Sequence, residues 1–311
     1  MKKFRQVINV FVFFFIIILA SIFFYHEIIR NYNSLSTASF KINRFYLTLA
    51  AICTASMLLS AAMGWHVLIN SVPVAKKLKV IESVAVVSTS ALTKYIPGKI
   101  WAYVTQIYLI RNLFISKQNL LVLFILINLI SLSLQTALGL FFLIFLAAQG
   151  WIKVLLASGC IFFFLTSFFG LDILNKAIRL TNRIFKKEFP IVRIPLRRIM
   201  AVQGTYLVAV LLFAFSGYLA ALGIGVIPDF REALSILTAG LISSVAGYLA
   251  FIMPGGLGVK EVVMFWILND LSNVSLAIVL PMVSRLLMML MDLVFGIFGL
   301  AFFSIKMRSD V

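Results

Sequence analysis

Apolar runs of about twenty residues or more recur along this 311-residue chain, joined by short basic connections. Runs of that length match the hydrocarbon thickness of a bilayer. They restrict the chain to helices that satisfy their own backbone hydrogen bonds. The sequence is 63% hydrophobic and 12% charged, with a mean hydropathy of +1.11, and no polar tract is long enough for a separate soluble domain. The formal net charge of +17 sits almost wholly in the connections. It suits an anionic lipid surface better than a nucleic acid, because no basic stretch is interleaved with exposed aromatics. Cys53 and Cys160 lie inside apolar runs without spaced partners, so neither reads as a ligand or a disulfide.

Lys2, Lys3 and Arg5 precede a run from Val7 to about Phe24 that continues past any small-residue cleavage site, which reads as an uncleaved first span. A second span covers about 45–70, and the loop after it carries Lys76, Lys77 and Lys79. Further spans are expected at about 120–148, after a brief outer turn at 149–153 up to about 174, at 200–227 and at 273–305, with a basic connection at 175–198. By the positive-inside rule that connection is cytoplasmic, and so are both termini.

Two segments fit neither pattern. Residues 80–112 contain Lys94-Tyr95-Ile96-Pro97-Gly98-Lys99, and residues 233–270 contain Pro254-Gly255-Gly256-Leu257-Gly258-Val259-Lys260-Glu261. Breaks by Gly and Pro inside apolar segments are tolerated in lipid only where protein or a water-filled cavity receives the freed groups. The charge bias makes the first a hairpin entered from the cytoplasm and the second a hairpin entered from outside. The expected fold is therefore an all-α polytopic membrane protein: a single transmembrane domain of about six spans plus two re-entrant hairpins, with 1–150 and 151–311 as inverted halves. Such repeats place a binding site near the bilayer midplane. Either broken segment could instead span as a kinked helix.

The intramembrane charges are the candidate site residues. Lys260 stands beside the start of a new helix near Leu257, whose unpaired N–H groups attract an anion. The backbone is expected to unwind at Gly255 and Gly256, which count among the substrate-binding candidates, and Glu261 either balances Lys260 or carries a proton. The alternative is a hinge whose Lys260 and Glu261 simply pair. Arg285 lies about midway along the last span and reads as a bidentate clamp for phosphate or carboxylate. Asp292, seven residues on and on nearly the same face, is its expected counter-charge; the alternative is a structural ion pair between helices. In the first break Lys94 and Lys99 bracket Pro97 and Gly98, either to attract a headgroup or to anchor at the interface, and Glu82 is a candidate partner for either lysine. Pro97, Gly98 and Pro254 are the expected hinges. Glu261, Asp292 and Glu82 are the candidates for gating or proton coupling. His26 and His66 lack metal-ligand spacing, and no phosphate loop or catalytic triad occurs, so no metal or cofactor is expected. Gly296 and Gly299 read as helix-packing positions.

The two quoted motifs, followed by a last span with Arg285, resemble the lysylphosphatidylglycerol synthase transmembrane-region family over nearly the whole chain. The resemblance implies a flippase-like domain in the bacterial inner membrane. In bifunctional relatives this domain moves aminoacylated phosphatidylglycerol, and a soluble C-terminal domain makes that lipid. With the chain stopping at Val311, no aminoacyl-tRNA transferase activity is expected. Stand-alone relatives are similar to proteins found with envelope polysaccharide systems. The expected partners are accordingly an anionic lipid or lipid-linked saccharide, with envelope glycosyltransferases or a second copy of the chain as further candidates, and no nucleic acid. The competing reading is a membrane-embedded transferase or accessory subunit, which needs Glu82, Glu261 and Asp292 to converge.

Overall fold

The computed structural model describes residues 25, 29, 41–72, 77–96, 100–111, 115–186, 189–250, 253–271 and 274–309. The expected first span, 7–24, lies outside them, as do Lys76, Pro97, Gly98 and Lys99. Among the described residues there is no strand. The helices are α1 Arg44–Ile69, α2 Val80–Leu92, α3 Trp101–Leu109, α4 Lys117–Leu146, α5 Gly150–Phe185, α6 Leu196–Gly223, α7 Phe230–Leu249, α8 Val259–Leu271 and α9 Val274–Ser309. Short 3-10 turns occupy Thr93–Tyr95 and Pro254–Gly256. Six helices, α1, α4, α5, α6, α7 and α9, are long and apolar enough to cross a membrane.

Helix starts coincide with residues able to take up orphan N–H groups. The Asn43 side chain accepts from the Phe45 N–H at α1, and Ser116 Oγ accepts from the Asn119 N–H at α4. Asp229 and Glu232 cap α7 reciprocally, at 2.7 and 3.3 Å.

The bundle is assembled by antiparallel pairs that close on small residues. Along α1 and α6, Leu47 faces Gly223, Thr54 Oγ1 donates to Ser216 Oγ at 3.2 Å, and Ser60 Oγ donates to the Thr205 carbonyl at 2.8 Å. A Cβ on Gly64 would meet Thr205 and Tyr206 at 2.6 Å. Likewise Gly296 of α9 packs on Leu92 of α2, and Gly299 on Thr89 and the Ala85 carbonyl. Close backbone approach is the usual means of helix association where lipid removes the hydrophobic drive, and the packing expectation for Gly296 and Gly299 is met. On α9 this face also carries Arg285 and Asp292, at spacings of seven, four and three residues, so it is aimed at α2 and the first break.

Two boundaries differ from the hydropathy reading. Helix α5 begins at Gly150, inside the expected outer turn at 149–153, and continues to Phe185 instead of ending at 174, because hydropathy marks where the membrane ends and not where the helix does. Asn175 and Asn182, two turns apart on its extension, each grip the returning chain with both ends of the side-chain amide. Asn175 bonds the Val192 carbonyl and N–H at 2.9 and 3.3 Å, and Asn182 bonds those of Phe189 at 2.9 Å each. The basic connection is thus strapped to a helix, with Arg179, Arg183, Arg193, Arg197 and Arg198 exposed. Asn175→Ala is expected to lower stability by about 1–3 kcal/mol, the cost of leaving buried backbone groups unpartnered. Thermal unfolding in detergent micelles measures it, and an unchanged midpoint would show that Asn175 does not hold the strap.

The second difference is α7. Its 20 residues are enough to cross a membrane, whereas the 13 residues of α2 rise only about 20 Å. The two broken segments share the order helix, break, helix but not the length of the first arm.

Candidate functional site

The two breaks, far apart in sequence, meet in the fold. The Thr93–Tyr95 turn at the end of α2 packs on the Pro254–Gly256 turn between α7 and α8. The second turn is a run of left-handed backbone, with φ of +55° at Gly255 and +70° at Gly256, which side-chain-bearing residues rarely adopt. It brings Gly256 so close to Gly247 of α7 that a Cβ would sit 2.8 Å from the Gly247 Cα and carbonyl oxygen. The expected hinge Pro254 opens this turn; Pro97 and Gly98 lie outside the described residues.

Helix α9 carries two charges that staple the breaks. Lys94 Nζ lies 2.6 Å from Asp292 Oδ2, and the Tyr95 hydroxyl donates to the same oxygen at 2.5 Å. Arg285 Nη1 donates to the Gly255 carbonyl at 2.9 Å and lies 3.5 Å from Glu261 Oε1. The guanidinium also sits 5.6 Å from the centre of the Tyr95 ring, within cation–π range. Tyr95 therefore touches both α9 charges and the second break, a role that its position beside Lys94 only hinted at.

These contacts correct three expectations. Asp292 is not the counter-charge of Arg285. Seven residues separate the two by about 10.5 Å along the axis, so each meets a different break: Glu261 is the acid at Arg285, and Asp292 serves Lys94. Glu261 forms no ion pair with Lys260, since adjacent helical residues do not face each other. Glu261 Oε2 instead accepts from the Gly258 N–H at 2.8 Å, capping the start of α8. Glu82 is no partner of Lys94. It accepts from the Lys79 N–H at 2.8 Å in the first turn of α2, about 18 Å of helix away, and Lys99 lies outside the described residues. The three carboxylates thus do not converge, and no cluster of metal-ligand type occurs among the described residues.

Lys260 is directed elsewhere. Its ammonium lies 4.7 Å from the centre of the Phe213 ring and makes no ion pair or hydrogen bond among the described residues. It lines, with Thr54, Ser216 and Ser284, a cavity of about 20 Å³, enough for about one water. Those three hydroxyls, each a polar residue in an apolar span, were the available sequence signal for this cavity.

Five charges are therefore gathered at the breaks: Lys94, Lys260 and Arg285 against Glu261 and Asp292. Asp292 is fully buried, and the Arg285 and Glu261 side chains are 12% and 11% exposed. Two ion pairs leave one positive charge over. The Nε and Nη2 atoms of Arg285 are buried and lack hydrogen-bond partners among the described residues. These N–H groups point side by side along one edge of the guanidinium, the edge that grips two oxygens of one oxyanion. A Cβ on Gly255 would come within 3.2 Å of Nη2 and 3.5 Å of the Tyr95 ring, so glycine keeps that edge clear.

No protein-family model matches the chain, and none of the curated proteins compared with it does either. Fold and site define a class: an all-helical chain with six helices fit to cross a membrane, as in multi-pass membrane proteins, and charge buried where two helix breaks meet.

Proposed function

We propose that this protein is a flippase-like lipid transporter that receives an anionic headgroup at Arg285 and passes it across the bacterial inner membrane. The observation that carries the reading is the unpartnered, buried Nε–Nη2 edge of Arg285 where the two breaks meet. Charges within a membrane are costly and are kept at functional sites, and the two parallel N–H groups of this edge match two oxygens of a phosphate. On α9 the exposed Leu286, Met289 and Leu293 flank Arg285, so a headgroup held there leaves its chains on a lipid-facing surface. The cargo is an aminoacylated or other phospholipid, or a polyprenyl-phosphate sugar. The two broken segments act as re-entrant hairpins of an inverted repeat, and one half rocks against the other about the shared site.

The test is leaflet exchange of fluorescent lipids in liposomes containing the purified protein. Exchange of phosphatidylglycerol or a polyprenyl-phosphate sugar, well above that of phosphatidylcholine, is expected. Equal rates for anionic and zwitterionic lipids, or none above protein-free liposomes, would overturn the reading.

A further inference from the structure

Resting on the headgroup reading above, we infer that each oxyanion received by Arg285 brings one proton onto Glu261, so that headgroup movement is coupled to protons. The geometry divides the labour of the Glu261 carboxylate. Oε2 holds the Gly258 N–H and thereby the start of α8. Oε1 is buried without a hydrogen-bond partner among the described residues, and its 3.5 Å separation from Arg285 Nη1 is longer than the ~2.7–2.9 Å of a charge-assisted bond. One oxygen is thus committed to structure, and the other can carry a proton without unfastening the helix.

Arg285 neutralises one negative charge, and Glu261 already supplies it. An oxyanion on the Nε–Nη2 edge places a second negative charge on the same guanidinium, inside an apolar bundle where like charges repel strongly. Two acids sharing one site resolve this by protonating one of them.

The surrounding groups leave Glu261 as the acceptor. From the first break, Lys94 and the Tyr95 hydroxyl both donate to Asp292 Oδ2, so Asp292 has a cation of its own and does not touch Arg285. Lys260, on α8 itself, is turned to Phe213. From α9 come Arg285 and Asp292, already described. The proton arrives from the aqueous phase, forms one O–H bond at Oε1, and departs when the anion does; no other bond changes.

The experiment is calorimetric titration of the full chain in detergent micelles with dioctanoyl phosphatidylglycerol, in two buffers of equal pH and different protonation heat. The expected result is uptake of about one proton per lipid bound, with affinity falling by up to about tenfold per pH unit as pH rises through the coupled range. Glu261→Gln is expected to bind without proton uptake and without that pH dependence. Wild-type binding with no proton uptake overturns the coupling and leaves the headgroup site standing, and this count needs no variant. Continued uptake in Glu261→Gln overturns it as well. Absence of binding by phosphatidylglycerol and by a polyprenyl phosphate alike overturns both the coupling and the headgroup reading.

Discussion

Arg285→Ala is expected to reduce exchange of anionic lipids to the protein-free rate, and Arg285→Lys to recover little of it. A guanidinium edge offers two parallel charge-assisted hydrogen bonds, each contributing about 1.5–3 kcal/mol. Losing both lowers headgroup affinity by about 10²-fold or more. Lysine restores the charge but not the fork. Arg285→Ala also has a structural cost, because it strands Glu261 beside the Gly255 turn, and breaking a buried pair costs about 3–5 kcal/mol. The double variant Arg285→Ala with Glu261→Gln separates the two effects. Its unfolding midpoint is expected to return towards wild type while exchange stays at baseline. Exchange that recovers along with stability would mean that Arg285 is a structural ion-pair partner only.

Gly256→Ala is expected to be a strongly damaging single-methyl change at the second break. The new Cβ would lie 2.8 Å from the Gly247 Cα and carbonyl oxygen, which are backbone atoms of α7 and cannot rotate away. The residue also has φ +70°, a conformation whose strain costs about 1–3 kcal/mol before any clash is counted. Helices α7 and α8 must separate at the turn, so a loss of about 4 kcal/mol or more is expected, together with loss of exchange. Gly204 is the control. A Cβ there meets nothing within 4 Å, and Gly204→Ala in helix α6 is expected to be neutral or to stabilise by up to about 1 kcal/mol. Thermal unfolding of the two variants side by side checks both values. Similar midpoints would show that the α7–α8 turn yields easily and is not what holds the second break.

Hydropathy was sufficient to place α1, α4, α6 and α9 to within a few residues, because a helix in lipid must be both apolar and long. It misplaced the end of α5, where amphipathic residues continue the helix into water and Asn175 and Asn182 reward its doing so with tertiary hydrogen bonds. It left open whether the second broken segment is a hairpin or a span, and its first arm, α7, has span length by itself. Span length and charge bias constrain where a segment lies along the membrane normal, but not how two helices are paired side by side.

The candidate site divides along the same line. The sequence alone put forward Lys94, Lys99, Lys260, Glu261, Arg285, Asp292 and Glu82 as candidate charges, with Gly255 and Gly256 at the break beside them, because such residues are costly in apolar runs. Only the tertiary structure decided who meets whom. Arg285 takes Glu261 and the Gly255 carbonyl, Asp292 takes Lys94 and Tyr95, and Lys260 is left facing Phe213. Those partnerships depend on the rotation of α9 against two breaks that are distant in the chain, and on glycine contacts that let α2 and α7 come close enough. Sequence spacing reports which residues share a helical face; it carries no information about the element on which that face closes.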